Sequence, residues 1–220
     1  MVAQRSLLRT REELDARGHR ELGAFRGESA CAAAIARLTL PFERAVVYWL
    51  QGHGEVRFDD YDELHGFSDI ARELNRGGFD LKPLTLPGLG RIPDDCHVLV
   101  IAGARYALNA EEIALLDGFL QNGGRLLYLA APRITNGIEG VLAKWGIKLL
   151  PFFAVGPQTL SGQEVVLSNF ADHVITRELK NASLVFNNAH CVQTLNESSA
   201  PAGADQPKIT LLALTGADGW

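Results

Sequence analysis

The sequence predicts an α/β fold with a mostly parallel sheet. Three observations point to it. Apolar runs of five or six residues, too short for helices, recur at Ala45–Leu50, Val98–Ala102 and Leu126–Ala130. Stretches with apolar residues at three- and four-residue spacing lie between them. Glycine pairs close those stretches, at Gly77-Gly78 and Gly123-Gly124. Strands that alternate with helices of this length form a parallel sheet covered on both faces, with right-handed crossovers.

The elements follow in order. Residues 1–41 form a helical lead-in, charged over residues 1–28, in which Ser29 caps a short helix over Ala30–Leu38 and Pro41 ends it. Ala45–Leu50 is the first strand, continuous and apolar as a buried parallel strand is. Leu64, Phe67, Ala71 and Leu74 mark an amphipathic helix. Phe79–Leu86 is the second strand. Pro83 cannot donate to a ladder and puts this strand at an edge. Val98–Ala102 is the third. Asn109 with Glu112 three residues on forms a capping box for a helix that turns Ile113, Leu116 and Leu120 inward. Leu126–Ala130 is the fourth strand. Asn136 caps a helix carrying Ile138, Leu142 and Trp145, which ends at Gly146. Ile147–Phe153 is a fifth strand. The core therefore spans residues 42–153, a three-layer sandwich of flavodoxin-like or class I glutamine-amidotransferase-like type. Residues 154–220 change rhythm. Strands are expected at Glu164–Ser168, Ser183–Phe186 and Ile209–Leu214, as a β-rich extension of the same domain, with an exposed loop at Asn196–Pro207.

Composition narrows the function. The chain has 220 residues, 47% hydrophobic and 21% charged, with a net charge of −5. That is enough apolar material for a full core. The acidic balance disfavours nucleic acid and anionic lipid as partners. No apolar stretch approaches the length of a membrane span, and Met1 is followed by polar sequence rather than a signal peptide. The three cysteines, Cys31, Cys96 and Cys191, have no metal-ligand spacing and give no disulfide framework. Cys96 reads as a small packed residue, Cys31 and Cys191 as buried fillers. No phosphate-cradling glycine motif is present, so no nucleotide cofactor is expected. The scattered histidines give no metal site.

The candidate site is the loop after the first strand, Gly52-His53-Gly54-Glu55. Open α/β sheets place ligands at the carboxyl ends of their strands. The glycines permit a tight turn, and His53 with Glu55 is a titratable pair suited to acid/base work or ligand contact. Arg105, Tyr106 and Arg133 follow the third and fourth strands at the same edge, and are read either as solvated loop residues or as the lining of a polar crevice for a small solute or peptide. The structural alternative is a plain turn, with His53 bonded to a neighbouring backbone carbonyl and Glu55 capping the following segment. An amidotransferase-like enzyme needs a nucleophile on the strained turn after the central strand. Here that turn reads Ala131-Pro132-Arg133, without Cys or Ser, so no catalytic residue is assigned.

Several motifs carry a family resemblance. They are Val47-Tyr48-Trp49-Leu50-Gln51-Gly52-His53-Gly54-Glu55, Ile92-Pro93-Asp94-Asp95-Cys96-His97-Val98-Leu99-Val100-Ile101-Ala102-Gly103, Gly123-Gly124-Arg125-Leu126-Leu127, His173-Val174-Ile175-Thr176 and the closing run from Leu211 to Trp220. In order and spacing, over about residues 24–220, the chain resembles the extracytoplasmic domain of the gliding-motility-type auxiliary component of ABC transport systems. Val174 stands where the family has proline, and Gly219 where it has serine. The resemblance implies a non-enzymatic domain on the periplasmic face. It implies anchoring by membrane segments outside residues 1–220, and an ABC permease and ATPase on separate chains as partners. It also implies kinship with a domain of an intraflagellar-transport protein that serves protein interaction. The alternative function is a small hydrolase or amidase of the amidotransferase-like superfamily.

Overall fold

The computed structural model describes residues 44–62, 65–131, 134–156, 162–195 and 208–215. The expected helix at Ala30–Leu38, the loop at Asn196–Pro207, and Cys31, Pro132 and Arg133 lie outside these residues.

The apolar runs form a four-stranded parallel sheet. Its strands are β1 (Val46–Leu50), β2 (Asp80–Leu84), β3 (Cys96–Ala102) and β4 (Leu126–Leu129), in the order β2-β1-β3-β4. β1 is central and every residue in it is buried. β2 lies at the edge, with Pro83 paired beside Trp49, as the missing proline donor requires. Three helices connect the strands: α1 (Ser68–Arg76), α2 (Ala110–Gln121) and α3 (Glu139–Lys144).

The period of two along β1 divides the core. Val46, Tyr48 and Leu50 join Leu99, Ile101, Leu116, Ile138 and Val141 on one face, under α2 and α3. Val47 and Trp49 join Val100 and Ala102 on the other. There Phe67, which precedes α1, packs on the Trp49 ring at 5.6 Å. The sheet is thus covered on both faces. The connection from β2 to β3 carries no helix, and Leu86 and Ile92 bury it against the α2 face instead.

The second half pairs differently. Ile147–Phe153 forms the expected strand, β5, but it does not extend the parallel sheet. It runs antiparallel to β9 (His190–Thr194), with the register broken between Leu149 and Phe153. β6 (Glu164–Leu167) pairs antiparallel with β8 (Leu184–Asn187), and the short β7 (Asn169–Phe170) with β10 (Ala213–Leu214). The last two strands differ from expectation in extent: β8 starts at Leu184, and only Ala213–Leu214 of the run from Ile209 is strand.

Candidate functional site

The turn after β1 is held by its backbone. Gly52 and Gly54 have φ of +120° and +78°, a region that L side chains rarely adopt. A Cβ on Gly54 would lie 3.1 Å from the Tyr106 ring and 3.2 Å from the Arg105 Cβ, so the glycine also admits the neighbouring loop. That loop, after β3, seals the turn. The N–H groups of Arg105 and Tyr106 both donate to the His53 carbonyl, at 2.7 and 2.9 Å. The Val56 N–H donates to the Ala102 carbonyl, and the Trp49 indole N–H to the Val56 carbonyl, both at 2.8 Å.

These bonds bury the His53 side chain between two carboxylates. His53 is 7% exposed. Its Nε2 lies 3.1 Å from Glu112 Oε2, and with Glu112 ionised the imidazole is the donor. The same oxygen accepts from the Asn109 N–H at 2.7 Å, while Asn109 Oδ1 accepts from the Glu112 N–H at 2.9 Å. The capping box read from the sequence is therefore present, and its glutamate also holds a histidine 59 residues away. The N-terminus of α2 adds a favourable field for that carboxylate. On the other side, Glu55 Oε2 accepts from the His53 N–H at 2.7 Å. Glu55 Oε1 lies 3.4 Å from His53 Nδ1, within ion-pair reach but without hydrogen-bond alignment. His53 Nδ1, Glu55 Oε1 and Glu112 Oε1 are buried atoms with no hydrogen-bond partner.

Six of the seven crevice residues thus meet at one place: Gly52, His53, Gly54, Glu55, Arg105 and Tyr106. Arg133 lies outside the described residues. The details of the turn differ from the sequence reading. His53 bonds the Glu112 carboxylate rather than a backbone carbonyl, and Glu55 caps back onto the His53 N–H rather than forward. Arg105 is exposed and Tyr106 is 68% exposed, so they form the rim while His53 and Glu55 lie beneath it. Glu112 is the residue that sequence reasoning missed as part of this site. Its signal was present, because a helix following a parallel strand begins at the carboxyl edge where the β1 loop lies.

Among the described residues, the side-chain partners of His53 are both carboxylates. The cysteines are elsewhere. Cys96 starts β3 at the opposite edge, half-buried, and burial pushes its thiol up to about 11. Cys191 lies in β9, half-buried rather than fully buried, and desolvation raises its pKa too. Neither is a ready thiolate. No group of three His, Cys, Asp or Glu side chains among the described residues is arranged to hold a metal ion. No helix among them is long and apolar enough to cross a membrane.

The opposite edge carries a second polar cluster. Asp95 accepts from the Tyr48 hydroxyl at 3.0 Å and from Lys82 Nζ at 2.8 Å, and Lys82 lies 5.6 Å from the centre of the Tyr48 ring. The Tyr48 ring is buried with its hydroxyl at the rim; desolvation, then Asp95, raise that hydroxyl's pKa. The bond from Lys82 holds the Asp95 carboxyl below its usual range.

Residues 44–220 match the family described as an ABC-type uncharacterized transport system. The chain belongs to this family. The match begins two residues before β1 and takes in the whole sheet, the His53 loop and the antiparallel pairs. No curated protein matches the chain significantly. Among solved structures, one titled "mmIFT52 N-terminal domain" is similar in fold. It has a TM-score of 0.54 at 16% identity, over 69% of this chain and 69% of that one. At that identity the likeness shows a shared fold.

Proposed function

We propose that this chain is a non-catalytic accessory domain of an ABC-type transport system, working by protein contact through the carboxyl edge of its sheet. Family membership supplies the transport context. The observation that carries the non-catalytic reading is the state of His53. Its carbonyl, its N–H and its Nε2 are all engaged within the protein, and the one titratable pair of the crevice is buried as an internal brace. What this edge offers a partner is a rim of Arg105 and Tyr106, residue types that anchor interfaces. The parallel sheet with helices on both faces supports a flavodoxin-like or amidotransferase-like sandwich, a scaffold used for many unrelated tasks. An amidase reading would need a nucleophile within reach of His53, where the described side-chain partners are Glu55 and Glu112.

In this reading the partners are a permease and an ATPase on separate chains. The domain faces away from the cytoplasm, anchored by membrane segments beyond these residues. The test is affinity purification of the full-length protein from its own membranes, with the retained subunits identified by mass spectrometry. ABC subunits should be retained, and retention should fall when Arg105 and Tyr106 are replaced by alanine. Turnover of an amide or ester panel that disappears in His53→Ala would overturn the non-catalytic reading. Protection of the domain from protease in intact spheroplasts would overturn its placement outside the cytoplasm.

A further inference from the structure

The two faces of the parallel sheet are covered unequally. α2 and α3 both lie on the face of Tyr48, Leu99 and Ile101. Of the three helices, only α1 borders the other face, where Phe67 at its start meets Trp49 of the central strand. β4 is left open there. Val100 pairs with Leu127 and Ala102 with Leu129, so these leucines continue the buried row onto β4. Val100 and Ala102 are 2% and 1% exposed, but Leu127 is 49% and Leu129 38% exposed. β4 is also an edge of the sheet, paired with β3 alone among the described residues. A single exposed leucine is ordinary on a surface. Two that extend a buried row on an edge strand mark the place of a covering element.

The residues that precede β1 carry an element that fits. They lie outside the described residues, and the sequence expects a helix over Ala30–Leu38. Cys31, Ala34, Ile35 and Leu38 recur there at the spacing of one helix face, and alanine fills most of the other positions. A helix of that length spans about 13 Å, and so does a strand of the length of β4. Residues 39–45 join Leu38 to β1 and reach at most about 25 Å. β4 lies two strands from β1, about 10 Å away. The segment therefore reaches β4, and its tether gives it a high effective concentration that a free partner lacks. A second copy paired edge to edge would extend the sheet and leave the leucine face open.

We propose that the segment Ala30–Leu38 packs as a helix over β4, with Cys31, Ala34, Ile35 and Leu38 against Leu127 and Leu129. This packing is independent of the protein-contact reading above and goes beyond it. β1 starts at the amino edge, so a segment that lies along β4 and leads into β1 starts at the carboxyl edge. Residues 1–28 then leave the domain on the edge that carries Arg105 and Tyr106.

The test uses the full-length protein with Leu127→Cys and a short bis-maleimide, which joins two thiols in close reach. A link between Cys31 and the thiol at position 127 within one chain, mapped by mass spectrometry, is the expected result. Gln121→Cys, exposed at the end of α2 on the opposite face, should give no such link. In a second measurement, iodoacetamide should alkylate Cys31 about tenfold more slowly in the wild-type protein than in Leu127→Asp/Leu129→Asp, because a packed segment reacts only through local opening. The urea midpoint establishes that the double variant is folded. Should it fail to fold, the cross-link alone decides. Equal alkylation rates in the two folded proteins would overturn the packing. So would labelling of both thiols without a link, or a position-127 thiol that joins only a second copy or another subunit.

Discussion

The two edges of the parallel sheet each carry a three-residue polar cluster, and they differ in burial. At the carboxyl edge His53 sits between Glu55 and Glu112, with side chains 9%, 1% and 3% exposed. At the amino edge Lys82 and Asp95 are 41% and 47% exposed, and only Tyr48 beside them is buried. Both clusters bind β1 to its neighbours. The Coulomb term between like groups at like distance is several times stronger away from water, and so is the cost of leaving one group unpaired. The carboxyl-edge cluster should therefore be a strict structural requirement, and the amino-edge cluster a dispensable trim.

The sharpest way to break this comparison is to remove Glu112. Glu112→Ala takes away the His53 partner and the acceptor of the Asn109 N–H together, and leaves an imidazole facing Glu55 alone. The expected loss is about 3–5 kcal/mol, as for other buried pairs broken on one side. It is measured as a shift of the urea midpoint at constant slope. Asn109→Ala removes the other half of the capping box, the bond from the Glu112 N–H to the Asn109 side chain, and leaves His53 paired. It should cost about 1 kcal/mol. A double-mutant cycle between His53→Ala and Glu112→Ala should show coupling above about 1 kcal/mol. Coupling near zero would mean that the cap, not the imidazole, explains the glutamate.

Next in size is the backbone of the turn. Gly54→Ala forces a side chain into a left-handed conformation and brings a Cβ within 3.2 Å of the Arg105 Cβ. The expected cost is about 1–2 kcal/mol. Gly52→Ala has the looser surroundings, with Thr85 at 3.4 Å, and its φ of +120° is the main source of strain. If both variants keep the wild-type midpoint, the turn is not the rigid seat that the bonds from Arg105 and Tyr106 imply.

The comparison also separates what could be read in advance from what could not. The four parallel strands, the edge position of Pro83 and the capping box at Asn109 are local facts. Each rests on residues within a few positions of one another. The bond from His53 to Glu112 spans 59 residues and depends on where the start of α2 falls beside β1. The sequence marked both residues, for different reasons, without joining them. β5 shows a missed signal. None of its residues is fully buried, whereas β1 is buried throughout. Pro151 lies within the broken stretch of its register, and a proline there argues for an edge or a bulge rather than a place in a parallel sheet. Which strand would pair with it was not written in the run itself, since β9 lies some forty residues on.

The smallest expected effect is at the amino edge, where pH and salt sharpen the contrast. Lys82 holds the Asp95 carboxyl below its ordinary value of 3.8, with the bond from Tyr48 adding to it. A carboxyl depressed in the folded state contributes stability above its unfolded pKa and loses it as pH falls through the folded one. The window for Asp95 therefore lies below pH 3.8. Lys82 is shifted in the opposite sense, chiefly by the same bond. Its contribution is complete below its ordinary value of 10.5 and fades as pH rises beyond it. At neutral pH both groups are charged, exposed and screened by salt. Lys82→Met should leave the urea midpoint at pH 7 within experimental scatter, and raising the salt concentration should erase any difference that remains. The carboxyl-edge cluster is shielded from bulk ions, so the loss in Glu112→Ala should persist at the same salt concentration. A Lys82→Met variant as damaged as Glu112→Ala, or a Glu112→Ala deficit that salt abolishes, would show that burial does not set the ranking of the two edges.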